Sequence, residues 1–417
     1  MKIRSVTCFY NPTSHQSEKD LARAGALARE TAKRIQNRGF EVQNLRLATT
    51  PFPGYLDIKH PEKAIQTALK LEADSAQEGF ASLSLGPALP ESPESFQIMP
   101  AILEATKDVF LGGVMADKKK GVSLSAVKAC AEMVYKSANI TPDGFANLRF
   151  AALANVRPFA PFFPAAYQKG NKVGLALAIE CADLALMAFT RPLTLAAARA
   201  SLLKTLQDYA RVLTGIIEEV AEKYDAVFHG IDYSLAPYPQ VWCSLGSAIE
   251  RLGPPRLGFS GSLAAAAYIA DLLDRGDWKR TGFNGLMLPV LEDSTLAQRS
   301  AEGSLTIKDL LLYSAVCGTG LDTVPLPGET SIPQLYAILL DLAALSVRLG
   351  KPLTARLMPV PGKAAGEPTN FNFSYFANGK VMSILAAPLQ GALAGDETFT
   401  LYPRKQRAPA KKAGKNS

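Results

Sequence analysis

The sequence predicts an α/β fold built on a mostly parallel sheet, and three observations carry that expectation. Short apolar, β-branched runs alternate with stretches of helical periodicity almost from end to end. Gly and Pro punctuate the junctions between them. The composition, 48% hydrophobic and 20% charged over 417 residues, is that of an ordinary globular chain.

Residues 2–9 form the first expected strand, stopped by Asn11-Pro12-Thr13. Residues 17–38 follow as a helix, with Leu21, Ala24, Ala28, Ala32 and Ile35 on one face and Gly39 at its end. Strands at 40–47, 80–85 and 109–114 alternate with helices at 61–76, 95–105 and 123–135. A strand at 148–156 runs into residues 157–164, where Pro158, Pro161 and Pro164 dictate a loop. Periodicity leaves 173–179 open between a strand and a buried helical turn. The longest helical stretch is 193–224, with a break expected near Gly215. Further strands are expected at 226–233, 256–259, 286–291, 320–326 and 354–360, with a last one at 381–386. Helices separate them at 241–252, 262–273, from 294, from 307 and at 332–349. About ten strands alternating with helices favours a parallel sheet covered by helices on its outer face.

No Gly/Ser linker divides the alternation, so residues 1–402 are expected to form one domain. Residues 403–417 carry six of the seven net positive charges and no acid, and they lack the apolar surface to order themselves. They are expected to be a disordered basic tail. The rest is nearly neutral, so no specific nucleic-acid partner is expected. No run of about eighteen residues or more is free of polar breaks, which argues against a membrane span. The N-terminal strand has neither the apolar region nor the cleavage site of an export signal. Cys8, Cys130, Cys181, Cys243 and Cys317 are scattered, with no CxxC pair. That pattern argues against a disulfide framework or a structural zinc site, and for a reducing, cytoplasmic setting.

Two segments resemble the signatures of an uncharacterised family, domain-of-unknown-function family 711, also called uncharacterised protein family 0210. His229-Gly230-Ile231-Asp232-Tyr233-Ser234-Leu235-Ala236-Pro237 resembles its Asp-x-Ser-Leu-Ala-Pro signature, and Cys317-Gly318-Thr319-Gly320-Leu321-Asp322 its Cys-x-x-Gly-Leu-Asp signature. Phe163-Pro164-Ala165-Ala166-Tyr167 and Leu111-Gly112-Gly113 match more weakly. The resemblance implies a fold like the ten-stranded α/β barrel of glycyl radical enzymes, in line with the strand count. It does not carry the radical chemistry: no Arg-Val-x-Gly-Tyr-type loop stands near the C-terminus, and Ala377-Asn378-Gly379-Lys380 has different neighbours. No glycyl radical is expected, and fold alone does not fix function.

Asp232 and Ser234 stand two apart where a strand meets a Pro-containing loop, so their side chains point the same way. In parallel folds that end of a strand gathers ligands. The pair serves equally well to cap loop amides. Cys317 beside a glycine turn is a candidate nucleophile, with His229 as its base; a buried structural thiol is the plainer account. Asp232 and Asp322 would share a divalent cation, Mg²⁺ or Ca²⁺, through oxygen ligands, with turn capping as the alternative. Ser260 and Ser262 open an Ala-rich helix whose amides attract anions, although either is also an ordinary N-cap. Arg157, in the proline-rich loop, would meet an anionic substrate. Glu180, in an apolar run, must be paired if it is buried. No GxxxxGK[ST] or GxGxxG is present to cradle a nucleotide.

The expected site therefore lies at a barrel mouth between residues 232–237 and 317–322. Two functions follow. One is a non-radical enzyme acting on a small polar metabolite, with or without a divalent cation. The other is a small-ligand-sensing or regulatory protein on an enzyme-derived barrel. A small molecule is the expected partner in both, with no membrane involved, and self-association into a homo-oligomer is left open.

Overall fold

The structure, a computed structural model, describes residues 1–191 and 194–403; the basic tail from 404 onward and residues 192–193 lie outside it. The first part of the chain lays down β1 (Lys2–Phe9), α1 (Ser17–Gln36), β2 (Leu45–Ala48), α2 (Pro61–Gln77), β3 (Ser82–Ala88), α3 (Glu94–Ala105) and β4 (Val109–Asp117). A short β5 (Gly121–Ser123), α4 (Leu124–Ser137) and β6 (Phe150–Ala154) follow. The ladders β1–β2, β2–β3, β3–β4 and β4–β6 are all parallel.

The chain then reverses direction. β7 (Gly174–Glu180) runs antiparallel to β1. After α5 (Ala182–Thr190) and α6 (Leu195–Lys223), β8 (Val227–Ala236) pairs parallel with β7. α7 (Leu245–Arg251), α8 (Ser262–Asp274), α9 (Ser294–Ala301) and α10 (Ile307–Val316) precede β9 (Gly320–Pro327). α11 (Ile332–Leu349) then leads to β10 (Leu353–Val360), which is parallel to β9 and antiparallel to β6. A two-residue β11 (Thr398–Phe399) pairs with β5.

The result is one 11-stranded, mostly parallel sheet in the order β8-β7-β1-β2-β3-β4-β6-β10-β9, with β5 and β11 appended to β4. Hydrogen bonds do not close it, since β8 and β9, at its two ends, are not paired with each other. Residues 279–291 lie between those ends: Ile231 N donates to Lys279 O (2.8 Å), Met287 N to Ser234 O (2.9 Å) and Val290 N to Asp322 O (2.9 Å). The strand expected at 286–291 is instead this irregular segment, with isolated parallel bridges at Ile231/Arg280 and Pro289/Asp322. Pro289 has no N–H to offer a ladder, which is one reason the pairing stays local.

Residues 256–259 are likewise turns and not a strand. Gly258, at φ +98, sits so close to Ser304 O that a side chain there would collide with it. Residues 381–386 make no strand either; Met382 N donates to Pro325 O (2.9 Å) as a single bond. α6 passes Gly215 without a break.

The strands alternate in size as well as polarity. Leu175, Leu177 and Ile179 of β7 belong to the large core under the helices, whereas Ala176 and Ala178 face the other way. Phe150, Ala152 and Ala154 of β6 likewise face the helices, and Ala151 faces inward. Burial on both faces explains why residues 173–179 showed no periodicity.

What fills the inner face is the proline-rich loop. Thr7 Oγ1 donates to Pro161 O (2.8 Å), Ser84 Oγ to Ala166 O (2.7 Å) and Thr281 Oγ1 to Phe159 O (2.8 Å). Gln168 N donates to Thr49 O (2.8 Å). A buried loop must satisfy its carbonyls away from water, and inward hydroxyls of the strands do so here. Among the described residues, α11 alone is long and apolar enough to cross a membrane. Half of it is buried, and it packs against α4, β4, β6 and β10.

Candidate functional site

The inner face carries charge at one end. Glu180 closes β7, Arg4 lies in β1, Glu292 follows the 279–291 segment, and Arg356 and Asp322 lie in β10 and β9. Their side chains form one chain of contacts. Gln43 Nε2 donates to Glu180 Oε2 (2.9 Å), and Arg4 Nη1 lies 3.4 Å from the same oxygen. Arg4 Nη2 donates to Glu292 Oε2 (2.8 Å), Arg356 Nη2 to Glu292 Oε1 (2.8 Å), and Arg356 Nε to Asp322 Oδ1. Glu180, Glu292, Asp322 and Arg356 are all buried. Burial pushes the Glu180 and Asp322 carboxyls up, against the opposing pull of Arg4 and Arg356 respectively. Arg356 feels the same burial, yet Asp322 and Glu292 hold it above its ordinary value.

Beside this network lies a cavity of about 100 Å³. Arg4, Arg46, Glu292, Asp322 and Arg356 form its charged end; Phe110, Phe162, Phe163, Met287 and Phe373 contribute to its apolar walls. Arg46 differs from its neighbours. It belongs to β2, where Leu45 and Leu47 face the helices and Arg46 faces inward. Its guanidinium lies 5.1 Å from the centre of the Phe163 ring, and it makes no hydrogen bond or ion pair with any described residue. Desolvation, reinforced by Arg4 and Arg356 and opposed by Glu292, pulls it down to about 9. A guanidinium offers five donors in a fixed fork suited to a carboxylate or phosphate. Here that fork opens onto the cavity without an ion pair, although Glu292 and Asp322, engaged by Arg4 and Arg356, line the same end.

The residues singled out from the sequence fall in different places. Asp232 is fully buried, and its carboxylate accepts from Phe283 N (2.7 Å), Asn284 N (2.9 Å) and Ser234 Oγ (2.6 Å). It clamps the turn at 281–285 onto β8, and Phe283 and Met287 from that segment line the cavity. Burial raises Asp232 to about 6, with those donors opposing. Asp322 does reach the cavity, paired with Arg356.

Cys317 caps the end of α10 and is buried; burial pushes its thiol up to about 11. His229 stacks on Phe159, with ring centres 3.7 Å apart and planes 8° from parallel. No hydrogen bond joins it to Cys317. Ser260 is exposed, and Ser262 Oγ accepts from Gly258 N (3.2 Å) at the start of α8. The N-cap of α8 is Gly261. Arg157 is exposed and does not line the cavity. All five cysteines are free and buried.

The donor set does not suit a hard divalent cation. Mg²⁺ and Ca²⁺ need about six or more oxygens, whereas both oxygens of Asp232 are engaged by amides and Ser234, and Oδ1 of Asp322 by Arg356. Among the described residues, no three His, Cys, Asp or Glu side chains are disposed to hold a metal ion.

Arg4, Arg46, Glu292 and Arg356 escaped the sequence reading. The signal was there: an arginine inside an apolar strand, as in Leu45-Arg46-Leu47 or Ala355-Arg356-Leu357, needs an inward partner or a ligand.

A second hollow, about 540 Å³, opens at the carboxyl ends of β3, β4 and β6 near Leu89, Asp117, Lys120 and Asn155. Lys120 there is already paired with Glu91. The unpaired guanidinium of Arg46 makes the inner cavity the stronger candidate.

An α/β sheet with a charged cavity on its inner face is thus the class of protein that fold and site define. The chain belongs to the family described as Uncharacterised ACR (DUF711), whose model matches residues 1–374. It is 31% identical over 363 residues to a UPF0210 protein of Pyrobaculum islandicum, covering 81% of this chain and 78% of that one. A UPF0210 protein of Methanopyrus kandleri is 28% identical over 396 residues, 88% of each chain. One of Actinobacillus succinogenes is 26% identical over 381 residues, 88% of this chain and 84% of the relative.

Proposed function

We propose that this chain is a non-radical enzyme acting on a small anionic metabolite held on the inner face of the sheet, with Arg46 as its anchor. One observation carries the reading: the half-buried guanidinium of Arg46 opens onto a cavity and forms no ion pair, while both arginines beside it do. A partly desolvated charge without a partner is costly, and an anionic ligand supplies the partner. Asp322, on the same wall, has its carboxyl pushed up by burial, which suits it to give or take a proton beside a bound anion. That favours an enzyme over a sensor.

In the same reading the sheet acts as a barrel-like enclosure of the glycyl radical enzyme type, with residues 279–291 spanning its two ends. The five free, buried thiols support a cytoplasmic location.

The test is a thermal-shift titration with acetate, malonate and inorganic phosphate, against chloride at matched ionic strength. At least one anion raises the melting temperature of the wild-type chain saturably, and Arg46→Gln is unmoved by all three. A wild-type chain indifferent to every one of them contradicts the proposal. Proton exchange at the carbon beside a bound carboxylate, followed by NMR in D₂O, separates an enzyme from a sensor. Binding without exchange leaves only the sensor.

A further inference from the structure

Resting on the anion-site reading above, we infer that the ligand class is a short monocarboxylate: one carboxylate on Arg46 and a compact apolar body against the aromatic walls. Size is the first constraint. The cavity holds about 100 Å³, and a single water needs roughly 10–15 Å³ of such space. The room is therefore for roughly seven to ten non-hydrogen atoms, less than a nucleotide or a sugar phosphate requires.

Charge is the second constraint. Three guanidiniums, Arg4, Arg46 and Arg356, stand with three carboxyls, Glu180, Glu292 and Asp322. Arg4 and Arg356 already face those carboxyls, which leaves one fork free. The two hydroxyls on the wall have committed their protons: Thr319 Oγ1 donates to Leu286 O, and Thr354 Oγ1 donates to Thr319 O (2.9 Å). A second carboxylate on the ligand would have to compete with Glu180, Glu292 and Asp322 for Arg4 and Arg356, or lie against Phe110, Phe162, Met287 or Phe373. Burying an unpaired charge there is unfavourable. Methyl and methylene groups meet those same walls without penalty. Phe373 lines the cavity from a segment held by Phe371 N donating to Asn378 Oδ1 (2.8 Å), so it is a wall residue that can be altered to change the room available.

Isovalerate and malonate test the inference, because they have the same number of non-hydrogen atoms and differ in charge and apolar surface. In calorimetric titrations of the full chain at neutral pH, isovalerate binds at least tenfold more tightly than malonate. Arg46→Gln loses both. Phe373→Trp, which narrows the cavity, weakens isovalerate at least tenfold and leaves the smaller acetate within threefold. Malonate binding as well as isovalerate, or better, overturns the monocarboxylate assignment while the anion site stands. Arg46→Gln binding either acid as the wild type does overturns the site itself. The comparison of the two acids on the wild-type chain needs no variant to fold.

Discussion

A histidine whose ring lies flat against Phe159 gives up most of its affinity for a proton. Burial, with Lys279 adding repulsion, lowers His229 from its ordinary 6.5 to about 4. Because the folded value is the lower one, the unfolded chain binds the proton more readily between those limits. This contribution is therefore intact above about pH 6.5 and drains away as pH falls toward 4. Asp232, raised to about 6, slopes the opposite way over part of that window, so the effect is best read as a difference between variants. His229→Phe keeps the stacked ring and removes the titration. Urea denaturation at pH 7 and pH 5 is expected to show the variant gaining about 2 kcal/mol on the wild type as the pH is lowered. A difference that does not change with pH would rule His229 out as the source. The same burial that makes His229 a packed ring disqualifies it from serving Cys317, and nothing in the local sequence announces which side of a strand a histidine takes.

At the scale of elements, Asp232 shows what the inward side of β8 is for. Its carboxylate holds two backbone amides of the 281–285 turn, and Asn284 extends the clamp by accepting from Tyr233 N (3.2 Å) and Trp278 Nε1 (3.0 Å). Asp232→Ala strands one buried and one half-buried amide, for a cost of about 3 kcal/mol in chemical denaturation. If the variant is as stable as the wild type, the turn is held by something else.

Elements whose signals are local were legible. β1 and α11 fall where periodicity and flanking breakers put them, and α10 starts at the capping box of Thr306 and Asp309. Residues 286–291 misled, because an apolar run containing Pro289 looks like a strand until its neighbours on both sides are known. The site was half legible. Asp322 and the need for a partner to Glu180 could be read from the chain. That Arg4 would supply the partner could not, since it depends on β7 returning to lie beside β1, far apart in sequence.

Across the whole molecule, the charge network joins what the backbone leaves apart. Glu292 links Arg4 on β1 to Arg356 on β10, strands on opposite sides of the five-strand parallel block, and Asp322 carries the link to the edge strand β9. Glu292→Gln leaves the buried Arg356 and the half-buried Arg4 facing each other across a neutral amide. Breaking a buried network in this way costs about 3 kcal/mol or more, measured as a loss of urea stability. It also frees Arg4 and Arg356 to compete with Arg46 for an anion. Unchanged stability would mean that the network is not holding the two sides together.

The loop at residues 157–168, set against inward alanines and hydroxyls, separates two jobs that a sheet can give to the same residues. The strands supply the frame, and the loop decides how much of the interior is left empty. A lineage could therefore trade one ligand for another by rewriting a dozen residues between β6 and β7, without disturbing a single ladder of the sheet. Divergence of function in such a family would be concentrated in that loop, while the strands around it changed only at the pace their packing allows.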